Sequence, residues 1–517
     1  MLRALPARRM TPRRESLAWA AAAAAASLAR HVPFAAGVFE GDLAGQVNAL
    51  YEGLIQKNWL RAGFLELGGR PMRLAIPTVP VTGEVYAHHP PLVHWATWPL
   101  VATFGLREWA IRAPAIAMAA ATGALLAVLA RRHLGRAGAI AAIAVFATLP
   151  LELTYGAMTN YEAPVMLLGL AGLLVLPSAR DGNGWRPAAA IVLLATAFDW
   201  GGMFLVPAYL AHERVATGRW PRLTAATTLA AGAATGAATY VAVLLAWTPS
   251  FGQVFGALVD VADYATLQAP TPIGDRVARI AAWLPPMFGW PGLAATIVGI
   301  VAAAKGLVPR SIAAAIACWS LVAVVNLAIF SGHAALHDYW WLYFAPVAVL
   351  APAALVARTS GVGAGSPAPT PDVLLATAIV AAVAVGGVHE SVRRHISVDR
   401  AALAADAEAL RSSGDGQELR LFALAGPYPD VALFYDPSWV LPVPEPAGPA
   451  AAFARSLLEG KLSVRAVSVV SAGRDSKSET LRPLTPDEVR RLGELGFRER
   501  PHPLGSRVVL HELVRPS

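Results

Sequence analysis

Runs of roughly 18 to 25 apolar residues recur in this chain from near its N-terminus to about residue 388. A helix of that length crosses the hydrocarbon of a bilayer, and lipid offers no partner to backbone N–H and C=O groups. Such runs must therefore be helices packed on one another. The fold expected is mainly α, a polytopic membrane protein with about 10–12 transmembrane helices. Composition agrees. Of 517 residues, 56% are hydrophobic and 15% charged, where a soluble chain carries about a quarter charged. The single cysteine, Cys318, lies inside an apolar run, which excludes an intrachain disulfide and a cysteine-based metal site.

Charge placement sets the orientation. A basic start, MLRALPARRMTPRR, precedes an Ala-rich run from about Leu17 to Phe39. Basic-then-apolar is also the pattern of a signal peptide, but an uncleaved first span makes the later loops fall into place. Further apolar runs lie near 109–130, 137–154, 162–177, 223–247, 288–304, 311–330, 339–357 and 371–388. The run 187–211 is interrupted at AFDWGGM and reads as two short helices with Asp199 at the far turn. With the N-terminus inside, the basic loops RRHLGR, SARDGNGWR, HERVATGRWPR and KGLVPR fall on the cytoplasmic side, as the positive-inside rule requires. The net charge of +8 is thus a topology signal and gives no reason to expect nucleic acid as a partner.

The chain divides into a transmembrane catalytic domain, 1–388, and a small soluble α/β domain, 389–517. The first holds a long outer loop, 37–107, with amphipathic helices. About half of all the acidic residues lie in the second. Within it LRLFALAG, KLSVRAVSVVS and SRVVLHELV read as strands. VDRAALAADAEALRS and TPDEVRRLGELG read as helices, the latter with Thr485 as N-cap and Glu488 completing a capping box. The domain is expected outside the plasma (inner) membrane.

The candidate chemistry collects at the outer ends of the spans. Glu40 and Asp42 follow the first span in FEGDLAGQ. Tyr86, His88 and His89 precede a rigid Pro90-Pro91 corner and a Trp-rich amphipathic run suited to the membrane interface. Glu162 in TNYEAPV and Asp199 in FDWGG stand at the mouths of spans, where a carboxylate is costly and tends to be functional. His333, His337, Asp338 and Tyr339 occupy another outer loop, and Arg112 sits about one turn into its span. Each has an ordinary structural alternative: an acidic cap, an interfacial histidine, a snorkelling arginine. Their convergence on one face is what points to a site. His88, His333 and Asp338, with His89, are also candidate ligands for a divalent cation of the Zn²⁺ type.

The pattern resembles the GT-C superfamily of membrane glycosyltransferases, particularly the bacterial relatives of protein mannosyltransferase and of the lipid A aminoarabinose transferase. The resemblance rests on Glu40-Gly41-Asp42 after span one, on Tyr86-Ala87-His88-His89-Pro90-Pro91-Leu92, on Arg112-Ala113-Pro114 and on Glu162. It implies transfer of a sugar from a polyprenyl-phosphate carrier, with inversion, to a glycolipid, a cell-wall polysaccharide or a protein. It makes Asp42 the base, with Glu40 competing for that role, and Glu162 a second catalytic acid. His89, Arg112 and Tyr86 would face the donor phosphate; His89 stands where the aminoarabinose branch has a lysine. Asp199, His337 and Tyr339 are further members of the expected site. The rival reading is a transporter or lipid flippase, which the break at DWGG alone favours.

Overall fold

The computed structural model describes residues 12–39, 43–76, 82–179, 185–247, 272–360, 371–395, 400–413, 419–422, 432–435, 439–442, 464–469, 484–494, 498–503 and 508–514. The chain forms two compact units. The first comprises Met1–Phe34, His88–Pro90 and Ala115–Arg394; the second comprises Ala35–Ala87, Pro91–Pro114 and His395–Ser517.

The regular elements described in the first unit are all helices. The unit contains α1 (Pro12–Ala35) and most of α5 (Glu108–Thr148), an element that joins two of the expected spans. They are separated by a break at Gly135, where φ of 75° leaves the helix within the basic turn RRHLGR. After α6 (Pro150–Tyr155) come α7 (Glu162–Ala179) and α8 (Trp185–Phe198). At Asp199 the backbone turns extended, then continues as a 3-10 turn, Trp200–Phe204, and α9 (Leu205–Thr217). This is the interruption that the Gly-Gly of FDWGGM predicts. The expected transmembrane count is met only in part by long helices. Among the described residues four are long and apolar enough to cross a membrane: Glu108–Thr148, Leu223–Trp247, Arg310–Ile329 and Asp338–Ser360. The pair Ile273–Phe288 and Trp290–Ala304 has that apolar length only when taken together, across a bend of 107°, and the remaining apolar helices are shorter.

Small residues let these helices approach. On α10 (Leu223–Trp247), Gly232 and Gly236 form a G-x-x-x-G face against α8. A methyl group at Gly236 would lie 2.6 Å from the Leu193 carbonyl oxygen, and one at Gly232 would meet the carbonyl of Ala189. In lipid, where apolar surface gains nothing by leaving its solvent, such close backbone packing supplies dispersion that larger side chains would forfeit.

The second unit holds the first outer loop. In it are α2 (Leu43–Val47), a π-helical turn at Asn48–Gly53, α3 (Leu54–Ala62) and α4 (Leu92–Phe104). An antiparallel pair, β1 (Met72–Ile76) and β2 (Thr82–Val85), lies between α3 and α4. One core joins Phe39, Leu54, Val101 and Ile111 to Leu410, Phe434 and Tyr435; another gathers Trp59, Phe64, Trp95 and Trp98. Three of the stretches read as strands hold β3 (Leu419–Phe422), β5 (Val464–Val469) and β7 (Val508–Val514). With β4 (Trp439–Pro442) and β6 (Arg498–Pro503) they form a five-stranded sheet in the order β4-β3-β5-β7-β6. It is parallel from β4 to β5 and antiparallel beyond. The capping box is realised. The Glu488 N–H donates to Thr485 Oγ1 at 3.2 Å, and the Thr485 N–H donates to Glu488 Oε2 at 2.9 Å.

Candidate active site

The Pro-Pro corner is tied to the FDWGG turn by two hydrogen bonds within the first unit. The Trp200 indole Nε1–H donates to the His88 carbonyl at 2.9 Å, and His89 Nδ1 lies 2.7 Å from Asp199 Oδ1. Proline suits this corner because it fixes φ and lacks the N–H that a helix start leaves unpaired. Pro91 is accordingly the N-cap of α4, its carbonyl accepting from the Trp95 N–H at 3.0 Å.

Asp199 is buried and heavily engaged. Its Oδ2 accepts from the Gly201 N–H at 3.0 Å and from the Tyr343 hydroxyl at 3.1 Å. Gly201 has to lack a side chain, since a Cβ there would run into the Tyr343 hydroxyl and lie 2.9 Å from Asp199 Oδ2. Burial pushes the Asp199 carboxyl up, but His89, Gly201 and Tyr343 outweigh it and hold the carboxyl below its ordinary range. The other face of the site is aromatic. The Tyr161 ring stacks on the His89 imidazole with centroids 4.0 Å apart and planes within 6°.

Glu162 is next in sequence to Tyr161 and opens α7, whose first turn is capped by Asn160 Oδ1 accepting from the Ala163 N–H at 2.7 Å. The Glu162 carboxyl is buried, and its Oε2 has no hydrogen-bond partner among the described residues. The charge of Asp199 acts on it, and both carboxyls act on Tyr343. His89, Tyr161, Glu162, Asp199 and Tyr343 thus form one polar group at the ends of helices.

A second group lies on the loop after the helix Arg310–Ile329. Asp338 is buried and accepts a short hydrogen bond from the Tyr155 hydroxyl, while the Tyr339 ring packs 6.1 Å from that of Tyr155. His333 and His337 face each other with ring centroids 6.0 Å apart. Burial holds the His337 imidazole below its ordinary range, against the pull of the Asp338 charge. The 3-10 segment Asp338–Phe344 carries both Asp338 and Tyr343, so it links this group to Asp199.

Among the described residues no three His, Cys, Asp or Glu side chains come together to hold a metal ion. His88 lends its carbonyl to Trp200, Asp338 accepts from Tyr155, and His333 packs with His337. Glu40 and Asp42 lie outside the described residues.

Arg112 and Tyr86 belong to the second unit. The Arg112 guanidinium donates to the carbonyls of Ala35, Gly37 and Val38 and lies 4.5 Å over the Phe39 ring. These contacts fasten the exit from α1 immediately before Glu40. The Tyr86 ring packs edge-on against Tyr51 and His94. Sequence reading did not single out Tyr161, Tyr343 or Tyr155, because nothing in spacing distinguishes them from interfacial tyrosines. It also missed the buried Arg30–Glu152 ion pair, 3.5 Å apart in the first unit. An arginine within an apolar run is the signal that finds it.

Comparison with known proteins bears on the segment that builds this group. The profile of the family described as dolichyl-phosphate-mannose-protein mannosyltransferase matches residues 88–247. No curated protein sequence matches the chain. Among solved structures, ArnT from Cupriavidus metallidurans bound to undecaprenyl phosphate superimposes with a TM-score of 0.59 at 14% identity, covering 97% of this chain and 98% of that one. Its apo form gives 0.59 at 15% identity over 96% and 98%.

The chain shares the fold of ArnT.

An oligosaccharyltransferase of Archaeoglobus fulgidus, solved with Zn and sulfate, shares this fold more loosely. Its TM-score is 0.50 at 13% identity, over 87% of this chain and 68% of that one. The shared fold is mainly helical, and four helices among the described residues are long and apolar enough to cross a membrane. His89, Tyr161, Glu162 and Asp199 all lie within residues 88–247, the segment matched by the mannosyltransferase profile.

Proposed function

We propose that the protein is an integral membrane glycosyltransferase that moves a sugar from a polyprenyl-phosphate donor to an acceptor hydroxyl on the extracytoplasmic side of the plasma (inner) membrane. One observation carries the reading. His89, Tyr161, Glu162 and Asp199 converge in space, and all four come from the segment that the mannosyltransferase profile matches. The likeness to a transferase solved with undecaprenyl phosphate supports the donor class as an analogy of fold.

In this reading Asp42 takes the proton of the acceptor hydroxyl, with Glu40 as its competitor for that role. The hydroxyl oxygen bonds to the anomeric carbon from the face opposite the phosphate, and the carbon–oxygen bond to phosphate breaks, so the product is inverted. The polyprenyl phosphate leaves with the electron pair. Negative charge grows on its oxygen, and a donor fixed in advance at that point stabilises the transition state without reorganising. His89, on a proline-fixed corner at the lipid surface, is the group suited to this. Glu162, buried beside Asp199 with one oxygen unpartnered, orients the acceptor. The acceptor is a glycolipid, a cell-wall polysaccharide or a protein.

Donor binding tests the reading directly. Purified protein in detergent is melted with and without undecaprenyl phosphate. Stabilisation of the wild type that is abolished in His89→Ala supports the assignment; equal stabilisation of both proteins removes His89 from the phosphate.

A further inference from the structure

We infer that Asp199 is a positioning residue for the transfer, the carboxylate that aims the His89 imidazole at the departing phosphate. The inference rests on the functional reading above and adds a residue about 110 positions away in sequence from the corner it serves. A carboxylate only accepts hydrogen bonds, so at 2.7 Å from Asp199 Oδ1 the His89 Nδ1 is the protonated nitrogen. Nε2, on the opposite edge of the ring, is then the atom presented to substrate.

Three further contacts separate aiming from simple packing. The Gly201 N–H and Tyr343 hydroxyl hold Asp199 Oδ2, so the carboxylate is itself immobile. The Tyr161 ring, parallel to the imidazole at 4.0 Å, fixes the ring plane. Plane and edge together leave the Nε2 vector one direction. The bond from Trp200 Nε1 to the His88 carbonyl already pins the corner to the turn, so the Asp199 bond is not needed to hold the backbone there. His89 also keeps 22% of its side chain exposed while the Asp199 side chain keeps 9%, the arrangement of an accessible donor backed by an inaccessible partner.

A lysine at position 89 would carry its charge without a backing carboxylate, and this supplies the test. Transfer from a polyprenyl-phosphate sugar is measured for wild type, Asp199→Asn, His89→Lys and the double variant. The expected result is that Asp199→Asn lowers kcat by about 100-fold in the wild type with the acceptor KM unchanged. In the His89→Lys background the same substitution changes kcat by no more than about 2-fold. An equal loss in both backgrounds, or no loss in the wild type, overturns the inference. If the Lys variants fail to fold, the melting shift given by undecaprenyl phosphate decides. A shift diminished in Asp199→Asn agrees, and a full wild-type shift contradicts. A wild type that transfers while Asp199→Asn does so equally well defeats this inference alone. A wild type that neither transfers nor is stabilised by undecaprenyl phosphate defeats the functional reading and this inference with it.

Discussion

Two histidines five positions apart each meet a carboxylate, and the two pairs are built for different ends. In the first unit His89 lies 2.7 Å from Asp199, and its side chain remains 22% exposed. In the second unit His94 Nδ1 lies 2.6 Å from Glu52 Oε2, with the two side chains 2% and 1% exposed. Gln56 seals the second pair. Its Nε2 donates to Glu52 Oε1 at 2.6 Å and to the His94 carbonyl at 2.8 Å. The first pair has a stacked aromatic and access; the second has a closed network inside a π-helical turn and α4. A histidine–carboxylate contact therefore does not mark a site by itself. What separates the two is access: the His89 side chain is partly exposed and that of His94 is buried.

The largest expected effect on stability separates the pairs. Glu52→Ala leaves His94 buried without its carboxylate and costs about 3–5 kcal/mol, read as a lowered midpoint of unfolding in detergent. Joint replacement with Glu52→Leu and His94→Phe costs less than Glu52→Ala, because neither partner is then left stranded. His89→Ala does the reverse. Transfer falls about 10²–10³-fold while unfolding changes little, since Asp199 keeps two other donors. If His89→Ala unfolds the protein as Glu52→Ala does, the contrast between the pairs is lost.

A smaller effect is expected from Gly236→Val. Its new side chain meets the Leu193 carbonyl and the Thr196 side chain, one turn before Asp199. Overpacking there costs about 1–3 kcal/mol. It should lower transfer along with stability, because it displaces the element that carries the first pair. Thr485→Ala is the weakest of the set. It removes an N-cap that touches neither pair, costs about 1 kcal/mol and leaves transfer unchanged. Thermal melts and a transfer assay on the same preparations place all these variants on one scale.

Legibility in the sequence followed the range of each interaction. Apolar runs, the break at FDWGGM, three strands and the Thr485–Glu488 box are local patterns, and the structure holds each of them. His89 and Asp199 were both recognisable as unusual, but their pairing was not, because no spacing rule connects a Pro-Pro corner to a helix break so far along the chain. The carbonyl contacts of Arg112 were hidden for the same reason. A cation one turn into a span reads as a phosphate ligand or a snorkelling arginine, and no spacing rule shows that Ala35, Gly37 and Val38 turn their carbonyls to it. The contact of Asp338 with Tyr155 was equally invisible in the sequence, since no spacing connects the two.

The account stands or falls on one assay. Purified wild-type protein and Asp42→Asn are given a panel of radiolabelled polyprenyl-phosphate sugars with total membrane acceptors. The account predicts that label moves from one donor in the wild type and is lost in Asp42→Asn, although both melt at the same temperature. Folded wild-type protein that moves no label from any donor would contradict it.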